Sequence, residues 1–169
     1  MVWSVSTGME ARMFNVRAVM NWDVPFVGHP SMSSGEIAGL VEKPANWKKV
    51  YAIGYKSCSY DTSGKLPPKS EDLVARLTKA NVALNDTLLW WVAVGWDSAL
   101  VMGETFKAVG TKNEDIVGYI NKIKDRVGIY GTVTWTPEQH NGFPDNEVVM
   151  CEVNSLKDGA FNVAPGYSS

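Results

Sequence analysis

Cysteine is scarce in this chain, and the two present, Cys58 and Cys151, stand far apart with no Cys-x-x-Cys pair and no Cys/His cluster. That excludes a disulfide scaffold and a thiolate zinc site. The pair is compatible with one disulfide in an oxidising space, but Cys151 sits inside an apolar run, where a buried inert thiol is the default. Long hydrophobic runs are also missing. The longest, Leu88 to Met102, is interrupted by Gly95, Asp97 and Ser98, and falls short of the roughly 20 residues needed to span a bilayer. The residues after Met1 lack the basic start, continuous apolar stretch and cleavage site of a secretory leader. Charge of one sign is absent too: a formal net charge of −2, with scattered lysines and arginines, offers no field for nucleic acid or an anionic membrane. No G-x-S-x-G elbow, Walker A loop or H-E-x-x-H motif occurs, so catalysis has no constellation to rest on, and no cofactor is implied. There is no internal repeat and no low-complexity tract.

What is present is an ordinary globular composition, 45% hydrophobic over 169 residues, enough for the core of one domain. Val2 to Ser6 reads as a short buried strand, followed by a helix whose Met9, Met13, Val16 and Met20 recur at spacings of four, three and four. Asn21 to Asp23 end it, and Val24 to Gly28 form the next strand, which together predict a parallel β-α-β unit. Ser33 and Glu36 have capping-box spacing for a helix to about Val41, and Trp47 to Tyr55 reads as another strand. Ser57 to Lys69, with Gly64, Pro67 and Pro68, is the credible hinge or long loop.

The middle reads as three helices without intervening strands. Ser70 is a candidate cap for the first, with Leu73, Val74, Leu77, Ala80, Asn81 and Leu84 on one face. Asp86 is placed to cap a second running to about Val109, and Thr111 or Asn113 a third carrying Ile116, Tyr119, Ile120 and Ile123. The tail turns to β structure: Gly131 to Trp135 and Glu147 to Val153 flank a turn-rich segment, and Lys157-Asp158-Gly159 leads to a last short strand. The expected class is α/β, layered, with a mainly parallel sheet, flanking helices and a β-rich C-terminal tail.

Four features of the tail occur in a telling order: Gly131, Val133 and Trp135; then Pro137, His140 and Gly142; then Val148 to Val153; then Asp158-Gly159-Ala160-Phe161. This order resembles the closing segment of type I periplasmic binding proteins, the branched-chain amino acid and amide receptors that feed ABC transporters. Gly95-Trp96-Asp97-Ser98-Ala99 is similar to that family's (G/A)YDA helix motif, with Trp in place of Tyr. The resemblance implies an incomplete type I fold. Residues 1–56 would belong to lobe two, 57–127 to the helical part of lobe one, and 128–169 to the hinge strand and the strands returning to lobe two. Family members are much longer, so the resemblance implies a C-terminal portion of a receptor. Such a portion is expected to bind ligand weakly or not at all alone, and to bury its uncovered helix stripes by repacking as one domain, by joining a separate front fragment or, the favoured route, by pairing with a second copy, with exchange through Ser57 to Lys69 as one means.

The same resemblance implies a non-enzymatic solute carrier that closes two lobes on a small amino acid, amide or aromatic acid, hands it to a membrane permease, and works, as the intact parent, in the periplasm. Its rivals are a cytoplasmic ligand-sensing regulator of the same fold and an unrecognised hydrolase. Candidate ligand contacts are Ser6 and Thr7, which equally suit helix capping, and His29, Pro30 and Ser31 after the next strand, at the edge where α/β sheets bind ligands. No Asp or Glu precedes Glu36 in that loop, so His29 would face an acid or amide. Trp96 is a candidate stacking wall, and Asp97 is either a ligand contact or a helix-internal hydrogen-bonding group. Trp90 and Trp91 read as core. Glu138 and His140 lie in a turn and lack a third ligand for a metal.

Overall fold

The computed structural model describes residues 8–33, 35–84, 87–143 and 145–167. In chain order these form helix α1 (Met9–Val19), strand β1 (Phe26–Gly28), α2 (Gly35–Leu40), β2 (Val50–Tyr55), α3 (Pro68–Lys79), α4 (Leu89–Val109), α5 (Asn113–Ile120), the short strands β3 (Arg126–Val127) and β4 (Thr132–Val133), β5 (Val148–Lys157) and β6 (Ala160–Val163). One sheet runs β1-β2-β5-β6, and β3 and β4 make a separate ribbon. The expected first strand, Val2 to Ser6, lies outside the described residues.

The layered α/β class is present, with helices packed on a sheet. The pairing is mixed. β1 and β2 are parallel, with Phe26 opposite Val50 and Gly28 opposite Ala52, joined across α2. The tail then enters the same sheet antiparallel: Ala52 faces Cys151 on β5, and Cys151 faces Val163 on β6. A Lys157–Gly159 hairpin turn makes the second antiparallel contact unavoidable, because strands joined by so tight a turn must reverse direction. Gly159 has φ +74°, and a Cβ there would lie 2.5 Å from the Thr87 carbonyl oxygen, so the turn also packs against the entry to α4.

Period-two burial is clear on β5, where Val149, Cys151 and Val153 face inward. They meet Phe14, Phe26, Val50, Ala52 and Phe161 in the main core. A second cluster, Tyr60, Leu73, Leu84, Leu89, Ala93 and Ala160, seats α3 and α4, and the half-buried Trp90 packs against both. Both cysteines are free and buried, so the disulfide alternative is not realised.

Helix α1 differs from its sequence expectation. Met9, Val16 and Met20 are 47%, 54% and 67% exposed, and the buried face is Ala11, Phe14 and Arg17. Phe14 stands edge-on to Phe26, with ring centroids 5.3 Å apart. Arg17 reaches across to donate to the carbonyls of Val24 (3.0 Å), Asn46 (2.8 Å) and Lys48 (2.6 Å), with its guanidinium over the Phe26 ring. An arginine stem covers apolar surface while its head satisfies carbonyls, which an apolar periodicity does not register.

Other departures are local. Pro44–Trp47 is a 3-10 turn, not the start of β2, because Pro44 presets its first turn. Ser70 does not cap α3: Pro67 stands at the cap, and the fully buried Ser70 hydroxyl donates to the Ser57 carbonyl at 2.5 Å. Lys112, without a side-chain cap bond, precedes α5 in place of Thr111 or Asn113. Asp86 and the side chains of Ser33 and Glu36 lie outside what is described. The strand expected at Gly131 to Trp135 is only two residues long, Thr132–Val133. Among the described residues no helix is long and apolar enough to cross a membrane.

Candidate functional site

Where β2 ends, the chain gathers rings from four distant segments. Tyr55 closes β2, Trp90 opens α4, Tyr130 lies between β3 and β4, and Phe143 precedes β5. Tyr55 packs against Trp90 (5.3 Å between centroids), Tyr130 (4.9 Å) and Phe143 (5.6 Å), and Tyr130 stacks on Phe143 at 4.6 Å and 30°. Such offset, tilted pairs are the favoured aromatic geometry. Burial, followed by a hydrogen bond with Tyr55, pushes the Tyr130 phenol well above its ordinary pKa. The Trp90 indole N–H is buried and has no partner among the described residues.

The Tyr130 peptide is held from both sides. Its N–H donates to Asp97 Oδ2 at 2.8 Å, and its carbonyl accepts the Ser57 hydroxyl. Asp97, Tyr130 and Ser57 thus tie together α4, the end of β2 and the segment crossing from β3 to β4 (residues 128–131). The Asp97 carboxylate lies flat against Gly128, where a Cβ would come within 2.3 Å of Oδ2. Only glycine permits that approach.

Beside this node lies a cavity of about 360 Å³. Its floor is α4 (Val94, Asp97, Val101, Met102), and Ile120, Val133, Trp135 and Phe143 complete apolar walls. Asp97 and Arg126 supply its charged groups, and Arg126 is paired with Glu104 at 2.8 Å. A volume near the lower end of small-molecule sites, mostly apolar with a few polar groups, suits a compact organic solute.

The sequence-derived candidates divide. His29 follows β1, is exposed, accepts the Ser31 N–H at Nδ1 (3.2 Å), lies 2.9 Å from the Ser31 hydroxyl, and stands edge-on to Trp90 at 6.1 Å. Pro30 is buried in the turn between them. His29 therefore reaches the aromatic cluster, with Ser31 hydrogen-bonded behind it. Asp97 reaches the cavity and the Tyr130 node. Trp96 stays on the outer face of α4, 38% exposed and outside the cavity lining, and Trp91, read as core, is 47% exposed. Ser6 and Thr7 lie outside the described residues. His140 is exposed in its turn, and among the described residues no cluster of metal-binding side chains occurs. Tyr55, Tyr130, Phe143 and Arg126 were not foreseen as site residues. Arg126 and Tyr130 share the β3–β4 ribbon, but Tyr55 and Phe143 come from distant segments, and no local spacing links the set.

No family profile and no curated protein matches this chain. Solved structures do. A type 1 periplasmic binding protein of Bordetella pertussis aligns with TM-score 0.70 and 16% identity over 96% of this chain and 45% of its own. The LivJ branched-chain amino acid substrate-binding protein of Streptococcus pneumoniae, solved with isoleucine, aligns with TM-score 0.64 and 18% identity over 93% and 42%. A leucine-binding protein LivK of Thermotoga maritima aligns with TM-score 0.61 and 14% identity over 92% and 41%. These likenesses define the class first: the α/β fold of solute receptors. More particularly, the chain carries part of the type I periplasmic-binding-protein fold, as the order of features in its tail implied. It spans less than half the length of the structures it matches, and these are binding proteins.

Proposed function

We propose that this chain serves as a solute-binding component of an ABC-type uptake system, acting outside the cytoplasmic membrane. In this reading a small organic solute is held between two lobes joined by crossing segments, and the closed form is presented to a membrane permease. Residues 1–56, 57–127 and 128–169 are assigned to lobe two, lobe one and the returning strands, and no bond chemistry takes place. The observation that carries the reading is the Asp97–Tyr130–Ser57 node. It joins a helix, a crossing segment and the end of a sheet strand at the rim of a solute-sized cavity, on a fold shared with receptors. His29, Pro30 and Ser31 contribute from the loop after β1, with Asp97 from α4, and Ser6, Thr7 and Trp96 belong to the same assignment.

Amino acids, amides and aromatic acids form the starting ligand panel. Thermal unfolding and small-angle scattering of the 169-residue chain against that panel test the reading. A solute that raises the midpoint saturably and compacts the particle supports it. A panel that moves neither, at solute concentrations high enough to register the weak binding expected of a partial cleft, overturns it. The exposed apolar residues Val16, Val19 and Met20 on α1, with Leu100 and Phe106 on α4, support pairing with a second copy. A strictly monomeric mass in light scattering would remove that part of the proposal.

A further inference from the structure

The cavity lining carries one acid, Asp97, and one base, Arg126, and of the two only the base has an ion-pair partner among the described residues. Arg126 is spent on Glu104, with Nη2 at 2.8 Å from Oε1 and Nε at 3.4 Å from Oε2. Asp97 has no ion-pair partner among the described residues, and its one hydrogen bond there is the Tyr130 N–H on Oδ2. The second carboxylate oxygen is left for something else. Three ring systems, Tyr130, Phe143 and Trp135, share the cavity with it. A carboxylate in an aromatic-lined cavity is an arrangement that recognises an organic cation, because ring quadrupoles and the carboxylate attract the same charge.

We propose that this cavity selects an organic monocation, an ammonium or amidinium on a compact apolar or aromatic body, over amino acids and carboxylic acids. The inference rests on the solute-binding reading above and narrows its ligand class. An anion would meet an unpaired carboxylate and an arginine whose charge is already shared with Glu104. A zwitterion would satisfy Asp97, but its own carboxylate would have to compete with Glu104 for Arg126. A monocation places its charge on Asp97 and its body against Val94, Val101 and Phe143 with nothing left over. The backbone clamp is what keeps the free oxygen in place: Gly128 and the Tyr130 N–H fix the carboxylate plane, so the cation meets a preset acceptor.

Phenethylamine, phenylalanine and 3-phenylpropanoate carry one phenyl body and differ in charge, so calorimetric titration of all three against the chain isolates the charge preference. Phenethylamine is expected to saturate and to bind at least about tenfold tighter than the other two, the scale of one charge-assisted hydrogen bond. D97N keeps an acceptor for the Tyr130 N–H and should lose about tenfold or more for the amine. S98W, at the exposed lip of the cavity on α4, should block it with the fold intact by circular dichroism. Equal or tighter binding of the acid or of phenylalanine overturns the cation preference and leaves solute binding standing. Amine binding unchanged in D97N or S98W, or no saturation by any of the three, overturns the proposed site. No saturation together with a silent panel in the preceding test overturns both readings.

Discussion

Replacing Gly128 with alanine tests the node where α4 meets the crossing segment. The new Cβ would lie 2.3 Å from Asp97 Oδ2, 2.7 Å from Cγ and 3.1 Å from Oδ1. Asp97 cannot retreat with its helix, because Ala93 and Val101, one turn to either side, are buried. The carboxylate must therefore rotate and give up the 2.8 Å bond from the Tyr130 N–H. Overpacking of this kind costs about 1–3 kcal/mol. Losing a hydrogen bond to a charged group costs about 1.5–3 kcal/mol, and the lower end applies at a half-buried site. G128A alone should thus destabilise by about 2.5–4.5 kcal/mol. D97A alone loses the bond without a clash, for about 1.5 kcal/mol. In the double variant there is neither a clash nor a second bond to lose, so its cost should fall close to that of D97A. The cycle should return a coupling about as large as the cost of G128A itself, about 2.5–4.5 kcal/mol, in the compensating sense. Urea unfolding followed by tryptophan fluorescence and far-ultraviolet circular dichroism measures all four corners. Additivity within about 0.5 kcal/mol, or a neutral G128A, would refute the geometry from which the cost is worked.

Three further outcomes follow from other parts of the fold. R17M should cost about 3–5 kcal/mol, since it leaves the carbonyls of Val24, Asn46 and Lys48 without their donor; at about 2–4 °C per kcal/mol for a chain of this size, a midpoint drop under 5 °C would contradict it. G159A should cost more than 2 kcal/mol, about the sum of a left-handed alanine and overpacking against the Thr87 carbonyl and Leu89 N–H, and a calorimetric midpoint equal to the parent's would contradict that. Burial pushes the Cys58 thiol from 9.0 to about 11 and raises Cys151 in the same direction. The folded state then keeps protons that the unfolded chain releases, so this contribution is complete below pH 9 and is lost as pH rises towards 11. Urea midpoints measured from pH 8 to 10.5 should fall, the fall should be shallower in C58A, and the same slope in both would sink the assignment.

Most element positions were legible because their signals are local. The Lys157-Asp158-Gly159 turn, the alternation of Val149, Cys151 and Val153, and the run of α4 each follow from a few adjacent residues. The face of α1 was not legible, because Arg17 is buried by three carbonyls contributed from the loop before β1 and the turn before β2. The candidate site failed in the same physical way. Tyr55, Trp90, Tyr130 and Phe143 meet only through tertiary packing, so their joint role left no spacing to read. Asp97 is the instructive case. Its sequence context allowed a ligand contact or a helix-internal hydrogen bond, and the bond that forms is neither: Oδ2 accepts from the Tyr130 peptide, outside the helix, while the residue lines the cavity. A carboxylate used that way transmits strain in either direction. On the cation proposal, a ligand at the other oxygen would load the same carboxylate that holds the Tyr130 peptide, so amine binding and the Asp97–Tyr130 bond are expected to be coupled.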